Sequence, residues 1–218
     1  MTASVAAIIP ASGEGKYLLN AVRSALYDDD RPDEVLIILN GARLGLAEDL
    51  HKLFGALVQI VSIPEAIGAA AARNLGVILT TAEWIRFLDS DDVFMPNSTS
   101  QLLAEIEDPT RDIAIGRMQL IDDDASPIRD LEIPTPAVGT VLFSRQLFNL
   151  VGMLDSAVKV GEFVDWFGRA RALGVREVHT NGIVLGRRIH SLNTSTIALK
   201  GGNRDYLHVV RAQLRRRR

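Results

Sequence analysis

Short apolar runs alternate with amphipathic segments in the N-terminal part of the chain, and this alternation restricts the possible folds more than any other feature. Four runs have the composition of strands buried on both faces, at residues 5–9, 35–39, 58–63 and 84–88. Three segments between them carry apolar residues at helical spacing, at residues 17–26, 46–54 and 67–79. This β-α-β-α-β-α-β order predicts an α/β fold in which helices cover both faces of a mostly parallel central sheet.

The rest of the chain is less regular but still mixes helices and strands. Helical patterns occur at residues 96–107, 145–151 and 164–173, and strand patterns at 113–121, 138–143 and 183–189. The segment 122–136 contains three prolines and has the composition of a loop. An amphipathic helix is expected at residues 205–214, and five of the last eight residues of the chain are arginine.

Composition excludes several classes of protein. With 218 residues, of which 47% are hydrophobic, the chain can bury the core of one globular domain and is not expected to be disordered. It has no cysteine, which excludes disulfides, thiolate metal sites and cysteine nucleophiles. A net charge of −3 disfavours a general nucleic-acid binder. No run approaches the roughly 20 apolar residues of a membrane helix, and the N-terminus lacks a signal-peptide pattern, so we expect a cytoplasmic protein.

The most informative motif is Asp89-Ser90-Asp91-Asp92, which places three carboxylates directly after the fourth buried strand. In a parallel sheet the carboxyl ends of the strands share one edge, and ligands bind there. Carboxylates at this spacing repel one another, and their hard oxygen ligands suit Mg²⁺ or Mn²⁺. The alternative is an acidic turn that caps the next helix. Two other acidic triplets, at residues 28–30 and 122–124, follow no buried parallel strand, and we interpret both as solvated turns.

Arg73 and Asn74 interrupt the apolar face of the third predicted helix. A buried arginine needs a partner that offsets its desolvation. That partner is a phosphate, the edge of a nucleobase, or Asp89 or Asp91 in an ion pair. The loop at residues 10–14 follows the first strand and is expected at the same edge of the sheet.

Two further motifs carry groups that can do chemistry. Glu162 and Asp165 open a predicted helix, where a carboxylate either stabilises the helix dipole or acts as a general base. Arg188 and His190 follow an apolar strand. The arginine suits a phosphate group, and the histidine is either a ligand of a metal or diphosphate, or a hydrogen-bonded structural residue.

In this order the motifs resemble those of the family 2 glycosyltransferases, which have the GT-A fold, a Rossmann-like three-layer sandwich. The most specific part is Ala71-Ala72-Arg73-Asn74-Leu75-Gly76, followed at matching spacing by Phe87-Leu88-Asp89-Ser90-Asp91-Asp92. The resemblance extends over about residues 4–195 through the opening strand and helix, the segment 162–174, and the closing residues Arg188, His190 and Asn193.

The resemblance implies a hexosyltransferase-like enzyme that moves a sugar, with inversion, from a UDP- or GDP-sugar to a small molecule, a peptide or a glycan. It assigns Asp91 and His190 to an Mn²⁺ or Mg²⁺ ion. It assigns binding of the nucleotide-diphosphate donor to Pro10, Ala11, Glu14, Asn40, Arg73, Asp89, Ser90 and Arg188. The general base is Glu162 or, one helical turn later, Asp165, because Phe163 stands where the family has a second acid.

The resemblance also implies one GT-A domain at residues 1–200, with a donor half at about 1–95 and an acceptor half at about 96–200. Residues 201–218 then form a C-terminal helix with its arginine-rich tail. Any contact with a membrane is expected through this basic segment.

Two other functions fit parts of the sequence. A non-catalytic module that binds a nucleotide sugar or a partner is suggested by Phe163, because the second acidic position lacks a carboxylate. A haloacid-dehalogenase-type phosphatase would use Asp89 as its nucleophile. That motif usually ends the first strand, however, and here it ends the fourth. The chain also has no convincing downstream lysine with paired acids.

Overall fold

The computed structural model describes residues 4–13, 15–27, 29–131, 137–158 and 160–190. The strands are β1 (Val5–Gly13), β2 (Glu34–Ala42), β3 (Gln59–Ile63), β4 (Trp84–Phe87), β5 (Val93–Phe94), β6 (Asp112–Ile121), β7 (Pro127–Leu131), β8 (Val141–Ser144) and β9 (Arg176–Arg188). The helices are α1 (Leu18–Leu26), α2 (Leu46–Phe54), α3 (Ala69–Leu79), α4 (Ser98–Leu103), α5 (Arg145–Val151) and α6 (Glu162–Ala172). Short 3₁₀ turns occur at Gly55–Leu57 and Val138–Thr140.

The strands form a single sheet in the order β3-β2-β1-β4-β8-β6-β9-β5, with β7 paired to β6. The first four strands in this order are parallel, as the sequence predicted. Ile8 of β1 lies opposite Leu36 of β2 and Phe87 of β4, so the carboxyl ends of these strands share one edge. The residues that follow β1, β2 and β4 therefore converge, which confirms the expected position of the acidic motif.

Alternate residues of the central strands pack against different helices, which makes three layers. One face packs against α1 and α2 through side chains such as Leu18, Val22 and Leu50. The opposite face packs against α3, α5 and α6 around a cluster of Phe143, Phe148 and Trp166. The α/β sandwich is thus confirmed. None of the helices in the described ranges is long and apolar enough to span a membrane.

The second half of the sheet is mixed rather than mostly parallel. β8 runs antiparallel to both β4 and β6, and β5 and β7 are also antiparallel to their neighbours, whereas β9 is parallel to β6. A turn of a few residues can join antiparallel strands, while parallel strands need a long crossover. β6 and β7 are joined by such a turn at residues 122–126, whereas the antiparallel pairs β4 with β8 and β5 with β9 join strands that are far apart in the chain.

Several sequence predictions in the second half were wrong in extent. The composition of residues 122–136 predicts a loop, yet β7 occupies part of this segment, because proline is tolerated at the first position of an edge strand. The predicted helix 96–107 is shorter, at Ser98–Leu103. β9 begins at Arg176 rather than near residue 183, and the two-residue strand β5 was not predicted. The expected helix 205–214 lies outside the described residues.

Gly76 brings α3 unusually close to β1. A Cβ atom at this position would lie 2.3 Å from Cγ2 of Ile8, a distance that a methyl group cannot occupy. The helix therefore lies directly on the strand. This close approach places Arg73 and Asn74, one turn earlier, beneath the carboxyl edge of the sheet.

Candidate functional site

The acidic loop, residues 89–92, lies at the carboxyl edge of β4. Asp89, Asp91 and Asp92 each present a carboxylate oxygen within 4.8 Å of the others. Burial of Asp92 and the neighbouring charges of Asp89 and Asp91 raise the pKa of Asp92 well above its ordinary value. A divalent cation would relieve this crowding, and three carboxylates are a suitable donor set for Mg²⁺ or Mn²⁺. The residues present therefore fit such an ion.

His190 meets the acidic loop as the sequence predicted. Its Nε2 atom lies 3.0 Å from Oδ2 of Asp91, and its side chain is largely buried. The two residues are 99 positions apart in the chain, and the end of β9 brings them together. Its role as a metal ligand stays a prediction.

Arg188 fixes the backbone around the acidic loop. Its side chain is fully buried. Its Nε atom donates to the carbonyl of Asp91 at 2.9 Å, and its backbone N–H donates to Asp92 Oδ1 at 2.9 Å. Its Nη1 atom donates to the carbonyls of Asp122 and Asp123, each at 2.5 Å. Through these contacts Arg188 holds the acidic loop close to the backbone of residues 122–123. A contact of Arg188 with the donor stays a prediction.

The turn at residues 122–126 also contacts the residues just before α1 through Asp123. Oδ1 of Asp123 accepts a 2.7 Å hydrogen bond from the Tyr17 hydroxyl, and Oδ2 accepts one from Lys16 Nζ at 3.3 Å. The bonds from Tyr17 and Lys16 lower the pKa of Asp123. The interpretation of residues 122–124 as a merely solvated turn was therefore incomplete. Asp30, in the other acidic triplet, also has a partner, because it accepts the N–H of Ser100 at 2.6 Å.

Arg73 joins the acidic loop to the start of α6. Its Nη2 atom donates to Asp89 Oδ1, and its Nη1 atom donates to Glu162 Oε1 at 2.5 Å. The side chain is 4% exposed, and although burial alone would lower its pKa, the charges of Asp89 and Glu162 raise it above the ordinary value. Asp89 was one of the ion-pair partners expected from the sequence. The contact with Glu162, 89 residues away, was not predicted.

The three residues at the start of α6 face different surroundings. Glu162 faces Arg73. Phe163 is buried and stacks on Trp166 with ring centroids 5.6 Å apart. Asp165 accepts a hydrogen bond from Arg169 Nε at 3.1 Å, one turn along the helix. Of the two candidate bases, Glu162 is therefore the one that the structure brings to the acidic loop.

Asn74 and Asn40 are engaged with backbone groups. Asn74 donates to the carbonyl of Leu154 at 2.8 Å and accepts the N–H of Leu154 at 3.0 Å, which ties α3 to the segment before α6. Asn40 is buried at the end of β2, and its Oδ1 atom accepts the N–H of Ile67 at 2.5 Å. Its predicted contact with the donor stays a prediction.

The remaining predicted donor-binding residues lie along the same edge or outside the described part of the chain. Pro10 and Ala11 are buried in β1 and pair with Ile38 and Leu39 of β2. Ser90 is partly buried within the acidic loop. Glu14 and Asn193 lie outside the described residues.

Comparison with known proteins agrees with this arrangement. The chain matches the family model for glycosyl transferase family 2 over residues 6–163. It is 25% identical over 125 residues to glycosyltransferase GlyG of Streptococcus pneumoniae, covering 56% of this chain and 42% of that protein. It is 27% identical over 228 residues to chondroitin synthase of Pasteurella multocida, covering 98% of this chain and 23% of that protein. The chain therefore spans less than half the length of these two relatives.

Solved structures show the same fold. TarS of S. aureus in complex with UDP matches with a TM-score of 0.73 and 14% identity, covering 98% of this chain and 65% of that chain. The complex of TarS with UDP-GlcNAc matches with a TM-score of 0.69 and 13% identity, covering 88% and 60%. The fold is thus the GT-A fold, and because the family model matches more than half of its length, the chain belongs to glycosyl transferase family 2.

Proposed function

We propose that the chain transfers a sugar, with inversion and in a metal-dependent reaction, from a nucleotide-diphosphate sugar to an acceptor. The observation that carries this proposal is the Arg73 bridge, which places Glu162 beside the acidic loop. A carboxylate near a diphosphate site can act as the general base that deprotonates an acceptor hydroxyl. The solved TarS structures contain UDP and UDP-GlcNAc, which supports a UDP-sugar over a GDP-sugar as the donor.

The donor would lie across the carboxyl ends of β1, β2 and β4. Asp89 would bind the ribose, and Asp91 with His190 would hold Mn²⁺ or Mg²⁺. Such an ion neutralises charge on a diphosphate leaving group. The rest of the nucleotide-binding surface would comprise Pro10, Ala11, Glu14, Asn40, Arg73 and Ser90. Arg188 would hold the acidic loop in place through its hydrogen bonds to Asp91 and Asp92.

Glu162 would act as the general base. Its Oε1 atom accepts from Arg73, and within the described part of the chain its Oε2 atom makes no hydrogen bond, so that oxygen is available for a proton. The acceptor hydroxyl would transfer its proton to Glu162 while its oxygen forms a bond to the anomeric carbon. The bond from that carbon to the diphosphate breaks on the opposite face. The nucleoside diphosphate leaves with the electron pair, and the configuration inverts.

Titration of the donor with and without metal tests the binding half of this proposal. Calorimetry with UDP and Mn²⁺ should show that Asp91→Ala loses the metal-dependent part of the affinity, about 10-fold or more, while the fold survives. Asp124→Asn, at an exposed position of the 122–126 turn, is the matched control. If Asp91→Ala bound UDP with the wild-type affinity both in the presence and in the absence of Mn²⁺, the metal site would be refuted.

A second candidate function is a non-catalytic module that binds a nucleotide sugar or a partner. Phe163 favours it, because this side chain packs in the aromatic core where the family has an acid. Donor binding without turnover on any acceptor would support this alternative. The match to glycosyl transferase family 2 argues against the phosphatase hypothesis.

A further inference from the structure

Tyr17 stands where segments distant in the sequence meet. Its own carbonyl accepts the N–H groups of Asn20 at 2.9 Å and Ala21 at 3.2 Å, so the first turn of α1 fixes its backbone. Its hydroxyl reaches the 122–126 turn, and its ring reaches the residues that end β9. Neither contact could be inferred from the sequence, since Asp123 and His190 are both more than 100 positions away from Tyr17.

The ring of Tyr17 contacts two residues that touch the acidic loop. Its centroid lies 5.1 Å from that of the His190 imidazole, with the planes tilted by 36°. The guanidinium carbon of Arg188 lies 4.6 Å from the same centroid. His190 in turn contacts the carboxylate of Asp91, and Arg188 contacts its carbonyl. Tyr17 therefore contacts both side chains that touch Asp91.

The hydroxyl of Tyr17 anchors the ring. It donates to Asp123 Oδ1 at 2.7 Å and accepts from Lys16 Nζ at 2.6 Å. Asp123 is a charged acceptor, and such hydrogen bonds are stronger than neutral ones. The ring is thus held at its backbone and at its far end, while its face rests against His190.

We propose that Tyr17 is a positioning residue that holds His190 against Asp91 and so raises the affinity of the acidic loop for a divalent cation. An imidazole without this support rotates about two side-chain bonds. Ordering it when the metal binds then costs conformational entropy, which lowers the affinity. Residues behind metal ligands commonly change metal affinity by about 10-fold. The inference rests on the metal site of the proposed function.

The test is a titration of the full chain with Mn²⁺, without nucleotide, in which electron paramagnetic resonance reports the free ion. Tyr17→Leu should weaken Mn²⁺ binding about 10-fold. Tyr17→Phe keeps the ring and should stay within about 3-fold of wild type. Tyr27→Leu is the matched control, since Tyr27 follows the same helix, is 68% exposed, and should leave the affinity unchanged. Asp123→Ala, which removes the anchor but not the ring, should weaken binding about 3-fold even if Tyr17→Leu fails to fold.

A double variant separates positioning from general stability. If Tyr17 acts through His190, Tyr17→Leu should weaken binding no further in a His190→Ala background. Additive losses, or equal affinities for Tyr17→Leu and Tyr27→Leu, would overturn the inference while leaving the metal site intact. A wild-type chain that binds no Mn²⁺ would overturn the metal site and the inference together, and that failure appears before any variant is compared.

Discussion

At the scale of single residues, the site depends on one buried cation between two carboxylates. Arg73 faces Asp89 on one side and Glu162 on the other, and it lies over the Phe87 ring at 5.9 Å. A buried guanidinium is tolerated when charged partners satisfy it. The same contacts hold Glu162 near the donor edge, so stability and function depend on the same side chain.

Replacing Arg73 should therefore destabilise the fold. Arg73→Met leaves Asp89 and Glu162 facing each other without a cation, and the free energy of unfolding should fall by about 3 kcal/mol in urea titrations at pH 7. Adding Glu162→Gln should restore about 1 kcal/mol, because one of the two repelling charges disappears. Arg43→Met, which breaks the exposed pair with Asp49, should lose less than about 1 kcal/mol. A loss from Arg73→Met no larger than this control would contradict the role of Arg73.

The sequence predicted the residues of the site better than their contacts. The acidic loop and the start of α6 could be found because strand order and helix patterns place them without knowledge of side chains. The partner of Glu162 and the contact of Tyr17 with Asp123 could not be found, since these pairs are 89 and 106 residues apart. Such contacts depend on the tertiary packing of loops, for which periodicity gives no signal.

At the scale of elements, the sequence predicted the bounds of helices with a strong apolar pattern well. It did not predict the start of a strand whose first residues are polar. α2 and α5 begin and end where their spacing indicated. β9 begins seven residues earlier than predicted, because its first half is mostly polar and none of its residues is fully buried. That half pairs with the start of β6, and an ion pair between Arg176 and Asp112 joins the two strands there.

The Asp112–Arg176 pair should make the β6–β9 connection sensitive to acid. The Asp112 carboxylate is fully buried and accepts N–H groups of Arg176, Glu107 and Asp108, which hold its pKa far below the ordinary value. A native pKa below the unfolded one means that the carboxylate stabilises the fold above about pH 4, and that this contribution is lost as the pH falls further.

Asp112→Asn should therefore lower the free energy of unfolding by about 2 kcal/mol at pH 7. The difference from wild type should shrink below about pH 4, as the Asp112 carboxyl takes up a proton in the unfolded wild-type chain but not yet in the folded one. Urea titrations from pH 7 to pH 3 measure both effects, with Asp124→Asn as an exposed control. A difference that stays constant over this range would show that the charge of Asp112 does not stabilise this connection.

At the scale of the whole molecule, the parallel half of the sheet supplies the acidic loop, and the mixed half supplies Glu162 and His190. The family and fold could be inferred from the sequence because the motifs of the parallel half are local and ordered along the chain. The strand pairs of the mixed half could not be predicted, since strands such as β4 and β8, or β5 and β9, pair although they are far apart in the chain. The division at about residue 95 into donor and acceptor halves stays a prediction, as does the role of the arginine-rich tail, which lies outside the described residues.

The turnover rate of the Glu162→Gln variant tests most directly whether the residues supplied by these two halves form one active site. The measurement is release of UDP from a panel of UDP-sugars with Mn²⁺, in the presence of small-molecule, peptide and glycan acceptors, with donor affinity determined in parallel. The variant should bind the donor as the wild-type chain does and lose about 10²- to 10⁴-fold in turnover. Asp165→Asn, whose carboxylate faces Arg169 one turn along the same helix, should keep most of the wild-type rate. Wild-type turnover in Glu162→Gln, or a loss confined to Asp165→Asn, would contradict the assignment of Glu162 as the base.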